Sequence, residues 1–380
     1  MFLFEIIIAI FIFSFFLIFF TINIARAKSM KSVKRLFIGY IFVLVLMGYF
    51  YIPNTNADLY RINGLINNSY KYMDFHQLLI LMTSSRNAIG VLYFWIFGVI
   101  GNLKLLPAVT AALFYSNIFY IIYKSSIKYN FSTKTISRIV LFFMAGGQFF
   151  EVVSGIRTML AFSIIALCCY KEFFENKSFI LNLPFYIIAV FVHDAAFILF
   201  VIRVIYIFLQ PEKNIKKRII NIILCVIVML LGVYFAQDLI ARTIYHGSRY
   251  VNGDVYFYLS EYIIAIFCII FMYYSILIFY KFKKMNKVNS LEMKGFVNFV
   301  TLLLIFDTMF YFEYTIFHRY RTFIMMLILP IIGFLLESSK EDKTGILKNY
   351  IRNFQLFFLV TYISTISKGN ITGLKFFIFK

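Results

Sequence analysis

The chain has 380 residues, of which 62% are hydrophobic, 21% are aromatic and 14% are charged, and its net charge is +20. This composition excludes an ordinary soluble domain, in which about a quarter of the residues are charged. Apolar runs of roughly 17–25 residues recur along the chain, which is the length that crosses a bilayer as a helix. A transmembrane barrel would show short alternating segments instead. We therefore predict an all-α, polytopic membrane protein forming one integral-membrane domain over residues 1–380.

The predicted elements begin with "MFLFEIIIAIFIFSFFLIFFTINI", which has neither a basic n-region nor a small-residue cleavage site and is interpreted as a retained first span. Further apolar runs bring the expected total to about 11–13 transmembrane helices. The segment 77–103 is either re-entrant or a tilted extra helix. The candidate spans are 2–24, 36–52, 106–123, 138–154, 157–170, 178–192, 193–209, 218–236, 256–280, 295–312, 322–337 and 351–367.

The basic residues lie in short clusters between the apolar runs, a distribution that indicates membrane orientation and not nucleic-acid binding. If 77–103 does not cross, the loops on one side carry 24 of the 37 Lys and Arg residues and those on the other side carry 11. This bias predicts that the basic loops face the cytoplasm. The basic loops are 26–35, 124–138, 171–177, 210–218, 281–294 and 337–352.

The polar residues outside those clusters gather on the opposite, outer side, so a site built from loops 53–86, 237–255 and 313–321 is expected there. Arg157 heads the apolar stretch that follows Gly155. Its guanidinium either snorkels to lipid headgroups or clamps a phosphate with paired donors. The four cysteines fall inside apolar runs and show no metal-ligand spacing. No metal and no cofactor is therefore predicted.

Histidine 193 and Asp194 lie where two apolar helices meet. They form either a polar hinge or a general base with its neighbour, since the pKa of free histidine is near neutrality. The sequence "HRYR" contains Arg319 and Arg321, which are either interface anchors or ligands for a diphosphate. The other outer-side candidates for diphosphate or sugar binding are Asp58, Tyr60, Arg61, Glu151, Arg242, Tyr245, Arg249 and Tyr250.

Four stretches in this order resemble the EpsG family, whose members are Wzy-type polymerases of O-antigens, capsules and exopolysaccharides. They are "ADLYR", "GIRTMLAFSIIALCCYKE", "FVHDAAFIL" and "HRYRTFIMMLILP". The second is the best match. The third departs from the family pattern at Asp194 and Ala195, where a serine is more usual one position beyond the histidine.

The resemblance implies a GT-C-like, lipid-diphosphate-dependent glycosyltransferase with its site at the outer face of the bacterial cytoplasmic membrane. The acceptor hydroxyl would attack the anomeric carbon of an undecaprenyl-diphosphate-linked glycan while lipid diphosphate leaves. Arginines 157, 249, 319 and 321 would then bind the diphosphate, and His193 would act as base, with Asp58 and Glu151 as rivals. A chain-length regulator is a further partner compatible with this activity.

Two alternatives remain. A lipid-linked oligosaccharide flippase would need cations inside the membrane, where Arg203 is the main example. An O-antigen ligase would use the same chemistry on a different acceptor.

Overall fold

A computed structural model describes residues 2–53, 55, 57–145, 148–209, 259–286, 291–311, 313–339 and 345–367, with isolated positions between 216 and 230. Within these ranges the chain is helical and contains no β-strand, so the all-α prediction is confirmed. The helices are α1 (Phe2–Ala25), α2 (Met30–Tyr49), α3 (Asp58–Asn68), α4 (Phe75–Ser84), α5 (Ala88–Ile100), α6 (Leu105–Lys128), α7 (Thr133–Ala145), α8 (Gln148–Ser154), α9 (Ile156–Phe174), α10 (Phe179–Val192), α11 (Ala195–Leu209), α12 (Leu259–Asn286), α13 (Leu291–Met309), α14 (Tyr314–Leu327), α15 (Leu329–Ser338) and α16 (Ile346–Ser367).

Several of these helices are apolar enough for a membrane, and the chain is a polytopic membrane protein. In the described part of the chain, three helices are individually long and apolar enough to cross: α2, α6 and the segment Ile263–Phe282 of α12. Helices α14 and α15 meet the same test as one span with a 46° bend. The predicted span 218–236 lies outside the described residues, and the total of 11–13 spans stays a prediction.

Several helices end close together at one end of the bundle, which we call the basic end. Lys128 at the end of α6 donates to the carbonyl of Phe174 at the end of α9 (2.6 Å) and pairs with Glu292 at the start of α13. Nearby, the backbone N–H of Ser132 donates to Glu337 of α15 (2.8 Å). The described ends of these helices therefore lie together, which agrees with the predicted grouping of 124–138 and 171–177 on one side.

The segment between α2 and α6 leaves and returns at the other end of the bundle. A β-carbon on Gly48, near the end of α2, would lie 3.1 Å from the carbonyl oxygen of Pro107, near the start of α6. Between them α4 and α5 fold back on each other, since the indole of Trp95 donates to the carbonyl of Met73 (3.0 Å) and its ring lies 6.3 Å from that of Phe75. The segment 77–103 thus contains most of a helical hairpin, and the chain enters and leaves this region at the same end of the bundle.

A buried ion pair joins two helices in the bundle. The guanidinium of Arg203 on α11 donates to the carboxylate of Glu172 on α9 (2.8 and 2.7 Å), and the amide of Asn182 on α10 donates to the other carboxylate oxygen (3.2 Å). The side chains of Arg203 and Glu172 are 8% and 3% exposed. The ring of Phe173 lies 4.5 Å from the guanidinium carbon.

We expect Arg203→Leu to destabilise the protein by about 3–5 kcal/mol, because it leaves a carboxylate buried without its counter-ion. The double variant Glu172→Leu with Arg203→Leu removes both charges and should be more stable than either single variant. Thermal unfolding of the purified protein in detergent measures the difference. Equal midpoints for Arg203→Leu and wild type would contradict the assignment.

Candidate active site

A polar pocket of about 480 Å³ opens at the end of the bundle opposite the basic end. Three parts of the chain build it: the loop that leads into α3, the α8–α9 junction and the first turns of α14. Helix α8 ends at Ser154 and α9 begins at Ile156, so the break between the two helices is at Gly155. Ser154 and Gly155 both line the pocket. The lining residues are Thr55, Ala57, Asp58, Arg61, Glu151, Ser154, Gly155, Thr158, Met159, His318 and Arg319.

Two carboxylates lie in the pocket and have different partners. The carboxylate of Asp58, the first residue of α3, forms an ion pair with the guanidinium of Arg61 one turn later. Glu151 on α8 has an oxygen 3.6 Å from Nε2 of His318 on α14. The ring of Tyr51 is buried; this burial, and then the charge of Glu151, raise the pKa of Tyr51 to about 12. Its hydroxyl therefore remains protonated at any physiological pH.

Arg157 lies in the first turn of α9 and extends towards the hairpin. Its guanidinium carbon is 5.5 Å from the centre of the Phe94 ring on α5, and its Cδ would lie 3.3 Å from a β-carbon on Gly90. Its Nε is buried and has no hydrogen-bond partner. Among the described residues, no carboxylate forms an ion pair with it. The guanidinium is held by an aromatic ring and can still bind an anion.

His193 is buried at the junction of α10 and α11, and its ring is hydrogen-bonded to the backbone of that junction. Its Nδ1 accepts the N–H of Ala195 (3.0 Å), and that N–H is a fixed donor. The same Nδ1 lies 3.1 Å from a carboxylate oxygen of Asp194, but one nitrogen cannot accept the first bond and donate the second. The backbone bond decides the tautomer: the neutral ring carries its proton on Nε2. The free side of the ring is therefore a donor.

The tip of the hairpin touches this histidine junction. The side-chain oxygen of Asn87 accepts the backbone N–H of Asp194 (2.9 Å). A β-carbon on Gly90 would lie 2.7 Å from the carbonyl oxygen of Val192, closer than real contacts allow. The same β-carbon would lie 3.3 Å from Cδ of Arg157, which is next to the pocket residue Thr158. The histidine junction, Arg157 and the pocket thus form one site.

The remaining predicted residues lie elsewhere. Arg321 on α14 is 7% exposed and does not line the pocket. Tyr60 is 52% exposed on α3 and does not line the pocket. Four predicted ligands of the outer loop 237–255 fall outside the described residues: Arg242, Tyr245, Arg249 and Tyr250.

Some residues of the site were not predicted from the sequence as ligands. His318 was recognised only as one polar residue of the outer side, and Tyr51, Asn87 and Phe94 carried no signal. A tyrosine or phenylalanine is uninformative in a chain with 28 of the one and 50 of the other. Asn87 lies in the polar break "TSSRN" of the hairpin, which is the signal that could have identified it.

The model of the EpsG family matches residues 91–378, well over half of the chain. The chain belongs to the EpsG family. No curated protein and no solved structure matches it, so the GT-C-like architecture stays a prediction.

Membership of the EpsG family carries a general function. The family comprises membrane proteins of the Wzy-type and exopolysaccharide polymerase kind, and this chain is a polysaccharide polymerase-type membrane protein. The matched segment contains Glu151, Arg157, His193 and Arg319. The "ADLYR" stretch, with Asp58 and Arg61, precedes it. Those two residues enter the site through their place in the pocket and not through the family match.

Proposed function

We propose that this EpsG protein polymerises undecaprenyl-diphosphate-linked oligosaccharide repeat units at the outer face of the bacterial cytoplasmic membrane. The glycan on one lipid diphosphate is transferred to the sugar end of a second lipid-linked unit. The bond between the anomeric carbon and the diphosphate breaks, a glycosidic bond forms, and lipid diphosphate leaves. Direct displacement of this kind inverts the anomeric configuration.

The observation that carries the proposal is the pairing of a polar pocket with adjacent arginines at one end of a membrane-embedded bundle. A sugar needs hydroxyl partners, which Glu151, Asp58 and Thr158 offer in the pocket. A departing diphosphate needs fixed positive charge, which Arg319 in the pocket and Arg157 beside it supply. The guanidinium geometry suits phosphate oxygens because two N–H groups can donate in parallel.

His193 has a binding role in the proposed mechanism, because the hairpin contacts the backbone beside it. Its Nε2–H can donate to a diphosphate oxygen or to a sugar hydroxyl. That role is positioning, in contrast to the base role that its sequence context suggested. We place the diphosphate between Arg157 and Arg319, with the ring of His193 as a further donor to it.

The flippase alternative receives no support from Arg203. The guanidinium of Arg203 forms an ion pair with Glu172 and lies beside the rings of Phe173, Tyr206 and Phe299. Its charge therefore stabilises the helix packing and does not face a path for a substrate. The same chemistry would serve a ligase, and the acceptor distinguishes the two enzymes.

A gel profile of surface glycan from cells lacking this gene tests the proposal. We expect the ladder of long chains to collapse to a single repeat unit, and plasmid-borne wild-type protein to restore it. Loss of every repeat unit, including the single one, would instead indicate flipping or ligation and would overturn the polymerase assignment. An unchanged ladder would exclude all three.

A further inference from the structure

We infer that Tyr320 is a positioning residue that holds the ring of His193 in the tautomer whose Nε2 donates. The inference rests on the proposed function, in which this Nε2–H binds the substrate. Tyr320 acts through Ala195, because the backbone of Ala195 is hydrogen-bonded to both side chains.

Both backbone polar groups of Ala195 have a side-chain partner. Ala195 is the first residue of α11, so its N–H has no acceptor within that helix. Nδ1 of His193 accepts this N–H (3.0 Å). The hydroxyl of Tyr320 on α14 donates to the carbonyl oxygen of the same residue (3.1 Å). Ala195 thus connects the histidine ring with α14, the helix whose Arg319 lines the pocket.

The ring of Tyr320 is packed so that its hydroxyl has a fixed direction. The residue is 3% exposed. Its ring lies 6.0 Å from that of Phe162 on α9, at an angle of 25°, and 5.6 Å from that of Phe306 on α13. A buried hydroxyl without a partner is unfavourable, so the bond to Ala195 is maintained. Tyr320→Phe would keep the ring contacts and remove this bond alone.

A competing partner lies beside the same nitrogen of His193. A carboxylate oxygen of Asp194 is 3.1 Å from Nδ1, and a carboxylate oxygen accepts from more than one donor. While the N–H of Ala195 points at Nδ1, that nitrogen must be an acceptor. If Ala195 moves away, Nδ1 can carry the proton and donate to Asp194. The neutral ring has one such proton, so Nε2 then becomes an acceptor and the substrate loses its donor.

The hairpin and α14 hold two successive residues of the histidine junction. Asn87 of the hairpin accepts the backbone N–H of Asp194 (2.9 Å), and Tyr320 donates to the carbonyl of Ala195. The peptide group that carries the N–H of Ala195 lies between these two anchors. Loss of the Tyr320 hydroxyl therefore allows this peptide group to turn away from Nδ1.

The tautomer itself can be measured by ¹⁵N NMR of purified protein in detergent, labelled at its histidines. The chain has four histidines, and the signals that disappear in His193→Gln belong to His193. We expect an unprotonated Nδ1 and a protonated Nε2 in wild type, and a share of the reverse tautomer in Tyr320→Phe. A wild-type Nδ1 that carries the proton, or a Tyr320→Phe spectrum identical to that of wild type, would overturn the inference.

The rate of polymerisation of a lipid-diphosphate-linked repeat unit is the second measurement. The kcat of Tyr320→Phe should fall by roughly 5- to 50-fold, because part of the molecules lose a donor whose complete removal lowers kcat by roughly 10²- to 10³-fold. His193→Gln keeps a side-chain donor but has no tautomer, so adding Tyr320→Phe to it should lower kcat by less than about twofold. The full loss in that background would mean that the hydroxyl does not act through His193.

Tyr206→Phe is the matched control, because the hydroxyl of Tyr206 is also held by a backbone carbonyl of a neighbouring helix, that of Gly295 (2.6 Å). Gly295 lies in the first turns of α13, which begins at the basic end. Tyr206→Phe should keep wild-type kcat and the wild-type tautomer of His193. The same change in both variants would indicate a general loss of packing and would overturn the inference.

The two measurements also separate this inference from the proposed function. Wild-type protein that never extends the repeat unit would overturn the polymerase assignment. The NMR spectra need no turnover and would still decide whether Tyr320 controls the tautomer of His193.

Discussion

Arg157→Ala is expected to abolish the glycan ladder while the protein remains in the membrane at wild-type level. The guanidinium is fixed against Phe94 and no described carboxylate neutralises it, so its charge is available to the leaving diphosphate. Removing one preorganised donor from a developing anion lowers kcat by roughly 10²- to 10³-fold. Arg157→Lys keeps the charge but loses the paired donors, and we expect it to restore little polymer. Gel profiles of complemented cells, with immunoblots of the membrane fraction, measure both effects.

The control for the lysine variant is Arg138→Lys, an exposed arginine on α7 far along the bundle near the basic end. It should give the wild-type ladder. A wild-type ladder from Arg157→Ala at equal protein level would remove this arginine from the site and return it to headgroup anchoring.

Gly90→Ala is expected to lower polymer yield by at least about tenfold although Gly90 carries no side chain. The added β-carbon would lie 2.7 Å from the carbonyl oxygen of Val192, and a backbone oxygen cannot rotate away. The hairpin must then move from the histidine junction, carrying Phe94 away from Arg157 and Asn87 away from Asp194. A displacement of about 1 Å in such a constellation can cost on the order of 10²-fold in rate. The initial rate of polymer formation by purified protein measures it.

Gly64→Ala on α3 makes the same substitution where a β-carbon meets nothing within 4 Å. It should keep the wild-type rate, and alanine is the better helix former. If Gly90→Ala were as active as Gly64→Ala, the hairpin would have no part in holding the site.

The sequence was sufficient to predict an α-helical membrane protein, because the thickness of a bilayer sets the length of the apolar run that crosses it as a helix. The distribution of lysine and arginine predicted that the chain after α6 and after α9 lies on one side, and the ends of these two helices do meet; the same count favoured a segment 77–103 that does not cross. The sequence also predicts roles for Glu151, Arg157, His193 and Arg319, because a charged or titratable residue beside an apolar helix costs free energy unless it has a partner.

Only the tertiary structure decided what each of these residues faces. Arg319 and Arg321 are two positions apart in one motif, yet Arg319 lines the pocket while Arg321 is buried and does not line it. Two helical positions that are two residues apart lie on different faces of the helix. Which face is buried depends on the helix that packs alongside. No sequence pattern predicts that Nδ1 of His193 accepts the backbone N–H of Ala195.

The sequence by itself determined that this protein is an α-helical membrane protein with its basic loops at one end and a charged site at the other. It did so because hydrophobic length and charge bias are local properties that need no knowledge of neighbours. The tertiary structure alone decided that the hairpin meets the histidine junction and that Glu151 shares a pocket with His318. Those contacts join residues separated by more than one hundred positions, and only packing brings such residues together.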